Sequence, residues 1–208
     1  MKTTTLSVFA ALLLCAACKS PTDGQPKATT SAPIQEVSAP VDAATKYSFS
    51  AADSKLEWVG AKVTASHDGS FKDFKGSIDL VDGDPTKSRV SVTISTASLV
   101  TEPEKLIAHL KNADFFDVEK FPEATFTSTS ITSGGAGGSH TVTGNLALHG
   151  VTKSVSFPAT IQVAGDEVTV QASFGINRKD FGIVYPGAPD DLIKDDVLVR
   201  LNIKAKKS

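Results

Sequence analysis

The sequence predicts an all-β fold, an up-and-down antiparallel barrel with one short helical insertion. Three observations predict it. Apolar and polar residues alternate with period two in one segment after another. The segments are joined by short turns rich in Gly, Asp and Ser. One stretch, residues 99–119, departs from that alternation and carries helical spacing instead. Consecutive strands joined by short turns close into a barrel and so remove their own edges. A two-sheet sandwich competes, but it calls for Greek-key crossovers, which uniformly short turns disfavour.

The first 17 residues read as a secretory signal. Lys2 supplies the positive start, residues 6–14 the apolar run, and Ala16-Ala17 the small residues before a cleavage point. The run is shorter than the ~20 residues that cross a bilayer. Cys15-Ala16-Ala17-Cys18 resembles a bacterial lipobox. That resemblance implies cleavage before Cys18, diacylglycerol on its sulfur and a membrane anchor there. Lys19 stands where some inner-membrane lipoproteins carry Asp, which favours the periplasmic face of the outer membrane.

Residues 18–45 hold the anchor cysteine and a stretch rich in Pro, Ala, Ser and Thr without aromatic residues or apolar period. They predict a disordered tether with an end-to-end distance of roughly 25–30 Å. The barrel domain is then 46–208. Both cysteines precede it, so its stability rests on its core without disulfides, and thiol catalysis is excluded. Loss of Lys2 with the signal leaves 20 of the 21 basic residues against 23 acidic ones, a net charge of −3. Nucleic-acid binding, which needs a basic patch, is not predicted.

The clearest strands lie late in the chain. Val168, Val170, Ala172, Phe174 and Ile176 alternate with Glu167, Thr169, Gln171 and Ser173, and residues 154–163 and 196–204 follow the same rule. Val90, Val92 and Ile94, then Val142, Leu146 and Leu148, add two more. Residues 55–64, 70–80 and 124–131 are strands with a less regular pattern. Turns are expected at His67-Asp68-Gly69, Asp82-Gly83-Asp84-Pro85, residues 133–138, Gly150-Val151-Thr152 and Gly165-Asp166. The helix begins at Thr101-Glu102-Pro103-Glu104, which has the form of a capping box with Thr101 as N-cap. Leu106, Ile107 and Leu110 are its apolar stripe, and only packing on the barrel can hold so short a helix.

Candidate chemistry is sparse. His67, His109, His140 and His149 fall on four different elements without metal-ligand spacing, so no metal site is assigned. No nucleophile elbow or paired-carboxylate site is present, so no catalytic residue is named. Asp114 and Asp117 read as turn and helix-end caps, His149 as an outward-facing residue, and Arg178-Lys179-Asp180 as a turn with an Arg–Asp pair or a polar mouth.

Four stretches carry a family resemblance. They are Trp58-Val59-Gly60-Ala61-Lys62 running to His67-Asp68-Gly69-Ser70-Phe71, residues 109–126, Val142-Thr143-Gly144-Asn145-Leu146 with His149-Gly150-Val151-Thr152-Lys153, and Asn177-Arg178-Lys179-Asp180-Phe181-Gly182-Ile183. In order and spacing they resemble the YceI-like family of periplasmic, lipocalin-like barrels. One departure is Leu106-Ile107, where many members carry Arg-Asp, so a ligand contact from that Asp does not transfer. The resemblance implies an eight-stranded lipocalin-like barrel whose apolar lumen holds a long isoprenoid-type or amphiphilic lipid, with no cofactor. The lining candidates are Trp58, Phe71, Phe115, Phe116, Phe126, Phe157, Phe174 and Phe181. An eight-stranded barrel has room for packed side chains or for one small ligand, so a filled barrel serving as a stress-related periplasmic interaction module remains the alternative. Oligomeric state is left open, a dimer included.

Overall fold

Each period-two segment becomes a strand whose apolar face has only the barrel interior to pack against. The computed structural model describes residues 20–35 and 44–208. The predicted signal and Cys18, the expected lipidation residue, lie outside the described residues. In chain order the strands are β1 (Thr29–Ser31), β2 (Thr45–Ser50), β3 (Lys55–Ala61), β4 (Ser66–Phe71), β5 (Phe74–Val81), β6 (Asp84–Ser95) and β7 (Leu99–Thr101). After the helix α1 (Glu104–Lys111) come β8 (Glu123–Ser133), β9 (His140–Leu148), β10 (Val151–Ala164), β11 (Glu167–Asn177), β12 (Gly187–Ala188), β13 (Asp191–Leu192) and β14 (Asp196–Lys207).

Eight antiparallel walls follow one another in sequence order and close on themselves. β2 and β3 both pair with β14 and act as one interrupted wall, and β4 with β5 and β6 with β7 do the same. β8, β9, β10, β11 and β14 complete the ring. The first three walls break at residues 51–54, 72–73 and 96–98, and the breaks are bonded together: Ala51 N–H to Phe74 O (3.2 Å), Lys72 N–H to Ser98 O (3.1 Å) and Ser95 N–H to Asp73 O (3.0 Å). Each break switches the parity of the inward face, from Tyr47 and Phe49 to Leu56 and Trp58, and from Ile94 to Leu99. A bulge at Ser128–Ser130 does likewise between Phe126 and Ile131. These shifts explain why the period-two signal is irregular over residues 55–80 and 124–131, while β6, unbroken up to Ser95, keeps its alternation.

Several expectations are corrected. His67, Asp68 and Gly69 are part of β4 rather than a turn. The capping box does not form: α1 has Pro103 at its N-cap with no side-chain cap bond, while Thr101 ends β7 and donates Oγ1 to Asp68 O at 2.7 Å. His149 is not on a polar strand face. It has φ 51° and Gly150 φ 75°, the pair of left-handed residues that a tight hairpin needs. That turn leaves the His149 ring half-buried against Phe121, with centroids 4.9 Å apart.

The largest departure concerns the predicted tether. β10 and β11 share a ladder only from Thr160–Ala164 to Glu167–Gln171, beside their hairpin. Toward the helix they diverge, and the N-terminal segment fills the fork as a strap. β1 pairs with Ser154–Ser156 of β10, while Gly175 of β11 donates to Pro26 O (2.9 Å) and accepts from Ala28 N–H (2.8 Å). Ile34 N–H donates to Asn145 Oδ1 (2.9 Å) and Asn145 Nδ2 returns a bond to Ile34 O (2.7 Å). The disorder expectation therefore fails for residues 20–35. Composition measures what a segment can bury alone, whereas this segment is held by strand edges that are otherwise unpaired.

Candidate functional site: an apolar lumen

The inward faces of the eight walls surround a cavity of about 770 Å³ lined almost wholly by aliphatic and aromatic side chains. This lies within the usual range of small-molecule sites, about 300–1,000 Å³. The end away from the helix is shut. Tyr47, Leu80, Val168 and Ala205 are buried there, and Tyr47 donates its hydroxyl to Gly165 O at 3.1 Å. The other end lies beneath α1 and the loop between β11 and β14.

The lumen stays open because glycines let large rings lie against the wall. A Cβ on Gly69 would fall 2.1 Å from Trp58 Cζ2, one on Gly76 2.2 Å from Phe49 Cζ, and one on Gly144 2.4 Å from Phe126 Cζ. Trp58 pairs with Gly69 and Phe49 with Gly76 across adjacent strands. Each ring covers a residue without a side chain instead of projecting to the axis, the arrangement by which an aromatic neighbour compensates a strand glycine.

All eight sequence-predicted aromatics line this cavity. They divide into two groups. Phe126, Phe157 and Phe174 form a ring series on the β8–β11 side: Phe157 and Phe174 are stacked at 4.2 Å and Phe126 lies 5.9 Å from Phe157, with Phe181 fully buried among them. Trp58, Phe71, Phe115 and Phe116 belong to the helix end with Leu99, Leu110 and Ile183. There Phe71 meets Phe116 edge-on at 5.7 Å. Phe121, next to this group in sequence, meets His149 edge-on outside the lining.

Sequence reasoning missed the loop contribution. Ile183, Tyr185 and Ile193 line the helix end, and Tyr185 packs against His109 (5.1 Å) and Phe115 (5.5 Å). Their signal is absent because they come from a loop without alternation. Arg178 positions that loop. Its buried guanidinium donates to Ile183 O (2.7 Å) and Lys194 O (3.1 Å) and pairs with Asp195 at 3.3 Å; burial lowers its pKa while Asp195 opposes the shift. The Arg–Asp pair is thus to Asp195, and Asp180 instead accepts from Thr30 of the strap at 2.6 Å. The rim is clasped where Lys62 pairs with Asp191 and Thr64 donates its N–H and hydroxyl to the same carboxylate at 3.1 and 3.0 Å. Asp114, on the aromatic turn, donates its N–H to Asn112 Oδ1 at 2.9 Å, and its carboxylate lies 3.1 Å from His109 Nε2. Among the described residues no group of three His, Cys, Asp or Glu converges.

A closed eight-stranded antiparallel barrel with a helix at one end and an apolar lumen defines a lipocalin-like barrel. The profile of the YceI-like domain matches residues 47–205, and the chain belongs to that family. A UPF0312 protein of Pseudomonas putida (strain W619) is 40% identical over 137 residues, 63% of this chain and 71% of that protein. The crystal structure of Burkholderia cenocepacia BcnA aligns with a TM-score of 0.67 and 25% identity, over 76% of this chain and 99% of that one. A polyisoprenoid binding domain from Saccharophagus degradans, implicated in plant cell wall breakdown, shares the fold with a TM-score of 0.62 at 16% identity, covering 79% and 99%.

Proposed function

We propose that this chain binds a long apolar lipid of isoprenoid type, or an amphiphile bearing such a chain, in the barrel lumen. In this reading it carries or sequesters that lipid in the bacterial envelope, held by diacylglycerol on Cys18 to the periplasmic face of the outer membrane. The observation that carries the binding reading is the lumen: about 770 Å³ and lined for the most part by aliphatic and aromatic side chains, with its polar lining residues toward the rim beneath α1. Burial of apolar surface at about 25 cal/mol per Å² holds a long chain without a catalytic group. Membership of the YceI-like domain family and the shared fold of a polyisoprenoid binding domain support the same ligand class. A ligand-free interaction module would call for a packed interior, which the cavity disfavours.

The test is native mass spectrometry on the full chain purified gently from a bacterial envelope, followed by organic extraction. The expected result is a discrete added mass that extracts as a prenyl-type lipid. A bare protein mass, unchanged after incubation with prenyl lipids, would overturn the reading.

A further inference from the structure

One seam of the ring is closed by a segment that belongs to neither wall. β9 and β10 are laddered from Leu148–Val151 to His140–Ala159, and β11 and β14 from Glu167–Lys206 to Asn177–Asp196. β10 and β11 pair only from Thr160 and Gln171 toward their hairpin. Past that point the wall is the strap. Directly behind it lie Val155, Phe157, Phe174 and Ile176, all lining the lumen, and Ala28 packs on that cluster. Along β11 the strap is held by two main-chain bonds, both to Gly175, by the Ser173 hydroxyl donating to Gln25 Oε1 at 2.8 Å, and by the exposed Lys27–Asp196 pair. Gly175 makes the seat: a Cβ there would fall 2.9 Å from the methyl carbon of buried Thr22. A few exposed hydrogen bonds open locally at much lower free energy than a long ladder.

We propose that the β10–β11 fork is a lateral port through which an apolar chain enters and leaves the lumen. Residues 22–28 are its latch, parting from β11 while β1 stays on β10. This rests on the lumen-binding reading above and goes further by naming the route and the part that moves. The alternative route is the helix end. There Lys62, His67, Arg178 and Lys194 line the lumen and the Lys62–Asp191 clasp spans the rim, so an apolar chain passing them would strip water from charged groups, which is costly. At the fork the same chain meets Ala28 and the Phe157 and Phe174 rings. The anchor proposed at Cys18 agrees with this route. Two peptide units, at most about 7 Å of chain, separate it from Ser20, whose hydroxyl lies 3.0 Å from that of Thr22 on the Gly175 seat. In that reading the fork lies beside the bilayer that supplies the lipid.

A latch that is closed in both the empty and the filled barrel changes the barrier and leaves the end states alone. Both rate constants then move together while the affinity holds. Trp58, the single tryptophan, lines the lumen, so its emission follows geranylgeraniol binding to the full chain in stopped flow. The latch is fixed by Gln25→Cys with Ser173→Cys joined by a short bismaleimide, each single-cysteine chain treated alike as control, and it is loosened by Gln25→Ala with Lys27→Ala. The expected result is that the cross-link slows association and dissociation by about tenfold or more with Kd within about twofold, and that the loosened chain speeds both. If neither change moves the rates, or the cross-link alters dissociation alone, the lipid passes elsewhere and this inference falls by itself. If the wild-type chain binds no geranylgeraniol, the lumen-binding reading falls and this inference with it.

Discussion

Phe157 of β10 and Phe174 of β11 stack at 4.2 Å with ring planes 15° apart, across strands that share no ladder at that level. Their numbers continue the register of the ladder below, so the ring pair extends the contact between the two strands past their last backbone pairing. The strap enters just beyond, with Ala28 against the same cluster.

The ring pair is thus a joint. Phe174→Ala is expected to lower unfolding free energy by about 3 kcal/mol, the usual cost of removing a buried ring, and to weaken binding of lumen probes. Urea denaturation and probe titration read the two effects. A stability change within 0.5 kcal/mol of zero (about the noise of a surface substitution) would show that the strap alone holds the fork.

Removing the strap should expose both edges of the fork. Deletion of residues 20–35 is expected to accelerate amide exchange at Ser154, Ser156 and Gly175 while leaving the β6–β8 ladder unchanged. Asn145→Ala severs both bonds to Ile34 and should cost about 1 kcal/mol. Exchange at Gly175 identical with and without the strap would refute its role in closing the wall.

Gly69 has no conformational demand of its own, because its constraint is the ring across it. Gly69→Ala places a methyl group where Trp58 lies, so the ring must move toward the axis. Overpacking of this kind costs about 1–3 kcal/mol. The expected signature is an altered tryptophan emission together with reduced capacity for lumen probes. Unchanged emission would mean that the ring has room to yield.

At the rim, the hydrogen bond from Lys62, reinforced by Thr64, holds the Asp191 carboxyl below its ordinary 3.8. A depressed carboxylate stabilises the fold above that value and loses its contribution as pH falls through the lower folded one. The clasp should therefore be indifferent to pH between 5 and 8 and loosen only below ~3.8. Amide exchange of Val63 and Lys194, which bond Leu192 and Ala61 across the clasp, reads it, and Asp191→Asn should abolish the acid step. Loosening near neutral pH would assign the rim to another group.

What could be read in the chain follows from locality. The strands from β9 onward keep one parity along their length, so alternation is visible residue by residue, and the late aromatics Phe157 and Phe174 could be placed on an inward face. In β2 to β5 and in β8 the breaks and the bulge change parity within a wall and neighbouring signals cancel, whereas β6 keeps one parity up to its break and was legible. The aromatic candidates remained legible there because large apolar rings must be buried somewhere.

The sequence by itself determined the all-β class, the succession of short-turn antiparallel strands, the single helix and the aromatic set from which the lumen is lined, since each depends on spacing within a short window. Only the tertiary structure decided that the lumen is hollow and that residues 20–35 close the β10–β11 fork. Those depend on which glycine lies opposite which ring and which strand edge is left open. Such relationships arise between residues distant in sequence, and no local pattern encodes them.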